Sequence, residues 1–330
     1  MKKPFYHKLF LSLAILLLCS CSIQQLAYNK IAPPPEKKFA LHEKELQQIA
    51  EGKEQGGNPI LALTGEDDVQ LVSEVFPVIL KTFEMLYFND PTHSGVALMT
   101  GQLYVMYANA FVEKPAKRIS DDFYDKKNAE FFRAKKFYLR GGKYCMQALE
   151  AAYPGFSKTV FSFNEEEQRA VLQLCQKHDV EALFWSATGI LGAFALDPLD
   201  PDVVDRVYGS VLMLEKAAEL IPDYNDGGLW EVLTAYYAAA PEGIGGGIKK
   251  AKSAYKKAKM YSKGKKASTF VTFATAFCIP NQDGVGFDKA LNQALDIDPD
   301  DDPENRLMTI LAQSDARWLK EHKEDFIFEY

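Results

Sequence analysis

Ser210-Val211-Leu212-Met213-Leu214-Glu215-Lys216-Ala217-Ala218-Glu219-Leu220-Ile221-Pro222 is the stretch whose reading decides the fold. Small, large, small and proline residues fall at Ser210, Leu214, Ala217 and Pro222. The same steps return as Ala251, Tyr255, Ala258 and Lys263, and again as Phe287, Leu291, Ala294 and Pro299. Steps of four, three and five put the first three positions on one helical face and the fourth just past the helix end. Gly142, Met146, Leu149 and Pro154 carry the spacing once more. The intermediate set Gln176, Val180, Leu183 and Thr188 fits poorly, so the spacing predicts recurring hairpins without an unbroken array.

A partner helix precedes each of the first three copies. Trp230-x2-Leu233-Thr234-x2-Tyr237, Phe270-x2-Phe273-Ala274-x2-Phe277 and Trp185-x2-Thr188-Gly189-x2-Gly192 share one shape: large residues for the seam and a small one for close approach. Together the halves make a two-helix unit of the tetratricopeptide type. The sequence therefore predicts an all-α fold of tetratricopeptide-like helical hairpin repeats, an α-solenoid, forming one compact domain over 41–330.

The start of the chain reads as an address. Lys2, Lys3 and Lys8 precede an apolar run from Leu9 to Leu18, too short to span a bilayer and suited to a signal-peptide core. It ends Leu18-Cys19-Ser20-Cys21, with a small residue just before Cys21 and leucine three before it. Leu18 is too large to precede a lipidated Cys19, so residues 1–20 are expected to be a lipoprotein signal peptide and Cys21 the lipidated residue. The competing reading is an ordinary signal peptide cut elsewhere. Residues 21–40 then form the lipid anchor and a tether stiffened by Pro33-Pro34-Pro35. No other run is expected to be long and apolar enough to span. This address implies the periplasm, and Ser22 favours the outer membrane.

A formal net charge of −7 argues against a nucleic-acid partner. Cys145, Cys175 and Cys278 have no disulfide-like spacing and read as buried small hydrophobes. The expected N-terminal helices run from Leu41 to Gly52, from Val69 to Phe88 behind the cap Asp67-Asp68, from Ser94 to Val112 and from Ala129 to Ala152. Gly56-Gly57-Asn58-Pro59 breaks the chain, Glu113 to Asn128 reads as a loop, and Pro154 to Phe163 as a connector. Asn164 followed by three glutamates opens the next helix.

The chain resembles a known family. The resemblance is carried by the lipidation signal, Val75 to Val112 ending Tyr107-Ala108-Asn109-Ala110-Phe111-Val112-Glu113, and Phe137-Tyr138-Leu139-Arg140-Gly141-Gly142-Lys143-Tyr144. It continues through Gly245-Gly246-Gly247, Arg306-Leu307 and Ala316-Arg317-Trp318-Leu319. These look like the T component associated with tripartite ATP-independent periplasmic (TRAP) transporters, and the likeness covers nearly the whole mature chain. It implies docking of the periplasmic substrate-binding (P) protein and self-association, a trimer among the states allowed. It also implies a channel or crevice for a small ligand, hydrophobic ones included.

The C-terminal half offers little enzyme chemistry. Trp185 to Leu196 reads as one helix, and the aspartates from Asp197 to Asp202 as an insertion in which Asp200 caps the helix opened by Pro201. Gly243-Ile244-Gly245-Gly246-Gly247 precedes a helix, yet Ile248 stands where a dinucleotide motif needs glycine and no Lys-Ser/Thr pair follows. Gly245, Gly246 and Gly247 remain loop candidates for binding through their amides, against a plain wide turn. Asp296 to Glu304 mimics a calcium loop, but Asp301 and Leu307 occupy its glycine and glutamate positions, so no metal site is expected. Nine lysines from Lys249 to Lys266 read as a solvated helix face or a docking surface for an acidic partner or anionic lipid. Neither nucleophile-elbow nor zinc-helix motif occurs. No catalytic residue and no cofactor is expected.

Candidate ligand-lining residues are Tyr107, Tyr138, Arg140, Tyr144, Trp185, Trp230 and Tyr237, each also explicable as packing. Arg140 stands out, because a cation among so many aromatics needs a partner or a ligand. The expected role is assisting solute uptake; the alternative is a scaffold lipoprotein of envelope assembly that binds peptide segments.

Overall fold

The computed structural model describes residues 25–50 and 61–328. The signal peptide, Cys21 and the Gly56–Pro59 break lie outside the described residues. No strand occurs among the described residues; the longer helices are α1 (Pro35–Ala50), α2 (Val69–Asn89), α3 (Ser94–Tyr107), α4 (Tyr124–Ala152), α5 (Glu165–Gln173), α6 (Val180–Leu196), α7 (Pro201–Leu220), α8 (Gly228–Ala239), α9 (Ile248–Tyr261), α10 (Ala267–Phe273), α11 (Gly284–Leu295) and α12 (Arg306–Glu321). The protein is an all-α array of helical hairpins.

Side-chain caps set the helix starts. The carboxylates of Asp68, Asp200 and Asp283 accept the N–H groups of Leu71, Asp202 and Gly286, and Asn164 accepts those of Glu166 and Glu167. Each cap satisfies donors that the first helical turn leaves unpaired. The aspartates between α6 and α7 also anchor a cation. Lys135 of α4, itself buried, bonds Asp197 at 2.6 Å and Asp200 at 2.5 Å.

Packing follows the recurring positions. Ser210, Leu214, Ala217, Ala251, Ala258, Phe287, Leu291 and Ala294 are all fully buried. Lys263, in the slot that holds proline in the other copies, has φ +53°, which the proline ring forbids. Helices α3, α4 and α6 meet through glycine. A Cβ on Gly101 would lie 2.5 Å from the Gly141 carbonyl oxygen, and one on Gly189 would lie 2.8 Å from the Gly142 Cα. Only hydrogen fits at these positions, so α4 lies with its backbone against both neighbours. The array then turns back on itself. Leu307 and Leu311 of α12 join the core cluster of Val72 and Phe76 on α2, and Asp315 pairs with Lys114 and Arg118.

Several expectations need correction. The supposed tether is helical at residues 25–31 and again from Pro35, with Tyr28 and Ala32 buried. Gly95 explains the docking of this segment, because a Cβ there would lie 2.2 Å from the Ala32 carbonyl oxygen. The helix begun at Ser94 becomes a π-helix over Ala108–Glu113, closed by the Lys114 N–H bonding the Asn109 carbonyl. The expected loop from Glu113 is mostly helical, with Lys114–Lys117, Asp121–Phe123 and then α4. The connector holds a short helix, Phe156–Val160. Finally, Lys177–Leu196 does meet the length and hydropathy of a membrane span, but 61% of that window is buried inside the protein. Its apolar character serves the core between α4 and α7.

Replacing Gly101 or Gly189 with alanine is expected to lower stability by about 1–3 kcal/mol through overpacking. Gly243→Ala, with nothing near its Cβ, should leave a urea unfolding midpoint unchanged; equal midpoints for all three variants would refute the close-contact account.

Candidate functional site

A deep opening runs along α4. It is a crevice of about 1020 Å³ between the end of α2, the Phe156–Val160 turn and the start of α7. Tyr87, Leu139, Tyr144, Met146, Phe161 and Ile190 supply apolar wall, and the cations Arg140, Lys143, Lys158 and Arg206 line it together with the acids Glu150, Asp200 and Asp202. Gln147 also lines it, and its Oε1 is buried without a hydrogen-bond partner. A buried carbonyl left unpaired carries a desolvation cost that a donor from a ligand would offset. The wall therefore suits a small molecule with an apolar body and at least one N–H or O–H group.

Of the seven candidates, Arg140 and Tyr144 line this crevice, and they share a buried acid. Tyr144 donates to Glu84 Oε1 at 2.9 Å. Arg140 donates to the Tyr104 hydroxyl at 3.1 Å, lies 3.9 Å from Glu84 Oε1 and sits 5.2 Å from the Tyr104 ring centre. Lys81 closes the cluster on Glu84. Arg140 thus has internal partners, which is how a cation tolerates this aromatic setting. Burial alone would raise the Glu84 carboxyl pKa, but bonds from Lys81, Tyr104 and Tyr144 outweigh it and hold the acid below its ordinary value. Burial and the Glu84 bond push the Tyr144 phenol well up.

The other candidates sit elsewhere. Tyr107 stacks on Phe76, packs at a tilt against Phe111 and Phe137, and accepts a bond from Arg133 at 3.3 Å. Tyr138 is buried, its hydroxyl held by Glu113 and, at 3.0 Å, by Asn109; the widened π turn brings both residues to it. Trp185 packs edge-on against Phe184, with ring centres 5.1 Å apart. Trp230 and Tyr237 share a different groove, between α7 and α9. No single hollow gathers all seven. The loop amides of Gly245, Gly246 and Gly247 bond the carbonyls of Glu242, Pro241 and Tyr237, so none points outward as an anion cradle.

The sequence reading missed Glu84, Tyr104, Lys143, Gln147 and Arg206. Glu84 had a signal: the buried stripe of α2 reads Val72, Phe76, Leu80, Glu84 and Tyr87, a lone carboxylate on an apolar face. The crevice wall had none, since it joins five separate segments.

These surroundings set both acid stability and thiol reactivity. A carboxyl held below its unfolded pKa adds stability above that value and loses it as pH falls through the folded pKa. Glu84→Gln is therefore expected to cost about 1–2 kcal/mol at neutral pH and to flatten the acid-side fall in urea midpoint; an unchanged pH profile would discount the cluster. The thiols should be inert. Burial pushes the Cys145 thiol well up, Cys175 to about 12 and Cys278 to about 11. Iodoacetamide at mildly alkaline pH should label these three only after unfolding, as peptide mass spectrometry would report.

Comparison with known proteins now places this architecture. An uncharacterized protein of Treponema pallidum (strain Nichols) is 41% identical over 334 residues, spanning 100% of this chain and 100% of that protein. The family profile described as TRAP transporter T-component matches residues 65–327, which takes in every helix from α2 to α12. With most of its length matched, the chain belongs to the TRAP transporter T-component family.

Proposed function

We propose that the protein is a periplasmic lipoprotein, anchored through Cys21 with the outer membrane favoured, that docks the substrate-binding P protein of a TRAP-type uptake system. In this reading it holds or passes a small ligand in the crevice along α4. Family membership associates it with a TRAP transporter; anchoring, docking and ligand handling are our extension. The observation that carries the ligand role is the buried, unpaired Gln147 Oε1 in a wall that combines apolar side chains with charges of both signs. Helical repeats suit such a role, because they present persistent concave surface without large rearrangement. Self-association, as a trimer for example, belongs to the same reading.

Affinity capture from detergent-solubilised envelopes should recover the transporter's substrate-binding protein. Recovery of barrel-assembly or wall-synthesis proteins in its place would favour a scaffold and remove the uptake role. Native mass spectrometry of the captured protein should show a bound small molecule. Lys143→Trp, an exposed change at the crevice wall, should abolish that adduct without shifting the melting temperature.

A further inference from the structure

Charge is strongly segregated in this chain. Residues 243–282 hold nine lysines and neither aspartate nor glutamate, in a protein with a formal net charge of −7. Among the described residues none of the nine forms an ion pair; the ion pairs lie on other elements. On α9 the lysines fall in two sets. Lys249, Lys252, Lys256 and Lys259 form one outward stripe. Lys250 and Lys257, seven residues apart, turn toward a groove of about 460 Å³ between α7 and α9.

The floor of that groove is Ala218, Ala254, Trp230 and Tyr237. Both rings are covered by ammonium groups. Lys257 Nζ lies 4.0 Å from the Trp230 ring centre, and Lys250 Nζ lies 5.3 Å from that of Tyr237 while bonding the Gly245 carbonyl at 2.8 Å. The acids of the far wall are engaged already: Glu215 takes the Tyr237 hydroxyl and Glu219 pairs with Lys216. An ammonium over a ring at the edge of a groove is held less strongly than one meeting a carboxylate at hydrogen-bond distance. An incoming carboxylate therefore draws each lysine away and bares an indole or phenol face, the side chains that most often anchor protein interfaces.

We propose that this groove takes an extended, acidic segment of a partner protein, read as two carboxylates with an apolar side chain between them. Seven helical residues separate the two lysines by about 10 Å. In a polyproline-type segment, side chains three residues apart share one side at about 9 Å, so the recognised pattern is Asp/Glu-x-x-Asp/Glu. An aromatic-floored groove flanked by cations fits such a segment better than a flat bilayer, which needs no groove. The proposal is independent of the uptake reading, because it concerns a different opening and specifies the segment whichever partner carries it.

Fluorescence anisotropy with a labelled Gly-Glu-Leu-Pro-Glu-Gly peptide tests this on the full chain. Saturable binding is expected, weaker by about ten-fold or more for the Gln-for-Glu peptide and for the Lys250→Glu/Lys257→Glu variant. Lys252→Glu/Lys259→Glu changes net charge equally and should stay within about two-fold. Circular dichroism of both variants checks that they fold. A shift in indole emission on peptide addition should disappear in Trp230→Phe. Equal losses in the two double variants would mean diffuse attraction and overturn the proposal. So would association with phosphatidylglycerol vesicles, or salt-sensitive self-association in sedimentation, without peptide binding.

Discussion

Backbone-to-backbone contact at glycine is the constraint on which this molecule depends. Gly101, Gly141 and Gly189 bring α3, α4 and α6 so close that no methyl group fits at these positions. Dispersion and exclusion of water act over that seam without a large side chain. The consequence is positional. With α4 fixed on two sides, its remaining face carries Arg140, Lys143, Tyr144 and Gln147 into the crevice at defined heights.

A second device holds α4 lengthwise. Buried acids on neighbouring elements each bind a tyrosine hydroxyl: Glu84 binds Tyr144, Glu113 binds Tyr138, and Asp179 binds Tyr153 at 2.7 Å. Tyr237 repeats the arrangement with Glu215 at 2.8 Å. Phenol and carboxylate satisfy one another in a low-dielectric setting where either alone would be costly. Three of these four pins grip α4 or its C-terminal cap residue. Glycine contacts set the distance between helices, and the tyrosine–acid bonds set how far along its axis each one sits.

Repetition was legible in the sequence, because spacing is a one-dimensional signal. Leu214, Leu291 and Ala258 sit in the core where their intervals put them, and Asp200 with Pro201 starts a helix as capping chemistry requires. Juxtaposition was not legible. Arg140 called for a partner, yet nothing in its own segment pointed to Glu84 on another helix. Tyr107, Tyr138, Trp185 and Trp230 looked alike as aromatics, and the fold distributes them among separate packing sites. The proline run suggested an extended tether; Pro35 instead opens a helix, since proline's fixed φ suits a first turn. The glycine loop offered amides as a binding alternative, and those of Gly245, Gly246 and Gly247 are spent on the carbonyls of Glu242, Pro241 and Tyr237.

Helix α7 connects the two openings physically. Its first turns, at Asp202, Val203 and Arg206, wall the crevice, and its last turns, at Glu215, Ala218 and Glu219, wall the lysine-edged groove. Between them lies Gly209, where an added Cβ would lie 2.2 Å from the carbonyl oxygen of Val160. That contact ties the middle of α7 to the Phe156–Val160 turn, which reaches the crevice through Ser157 and Lys158. One helix therefore supplies wall to both openings, and the Gly209 contact fixes its middle against the segment that borders the crevice.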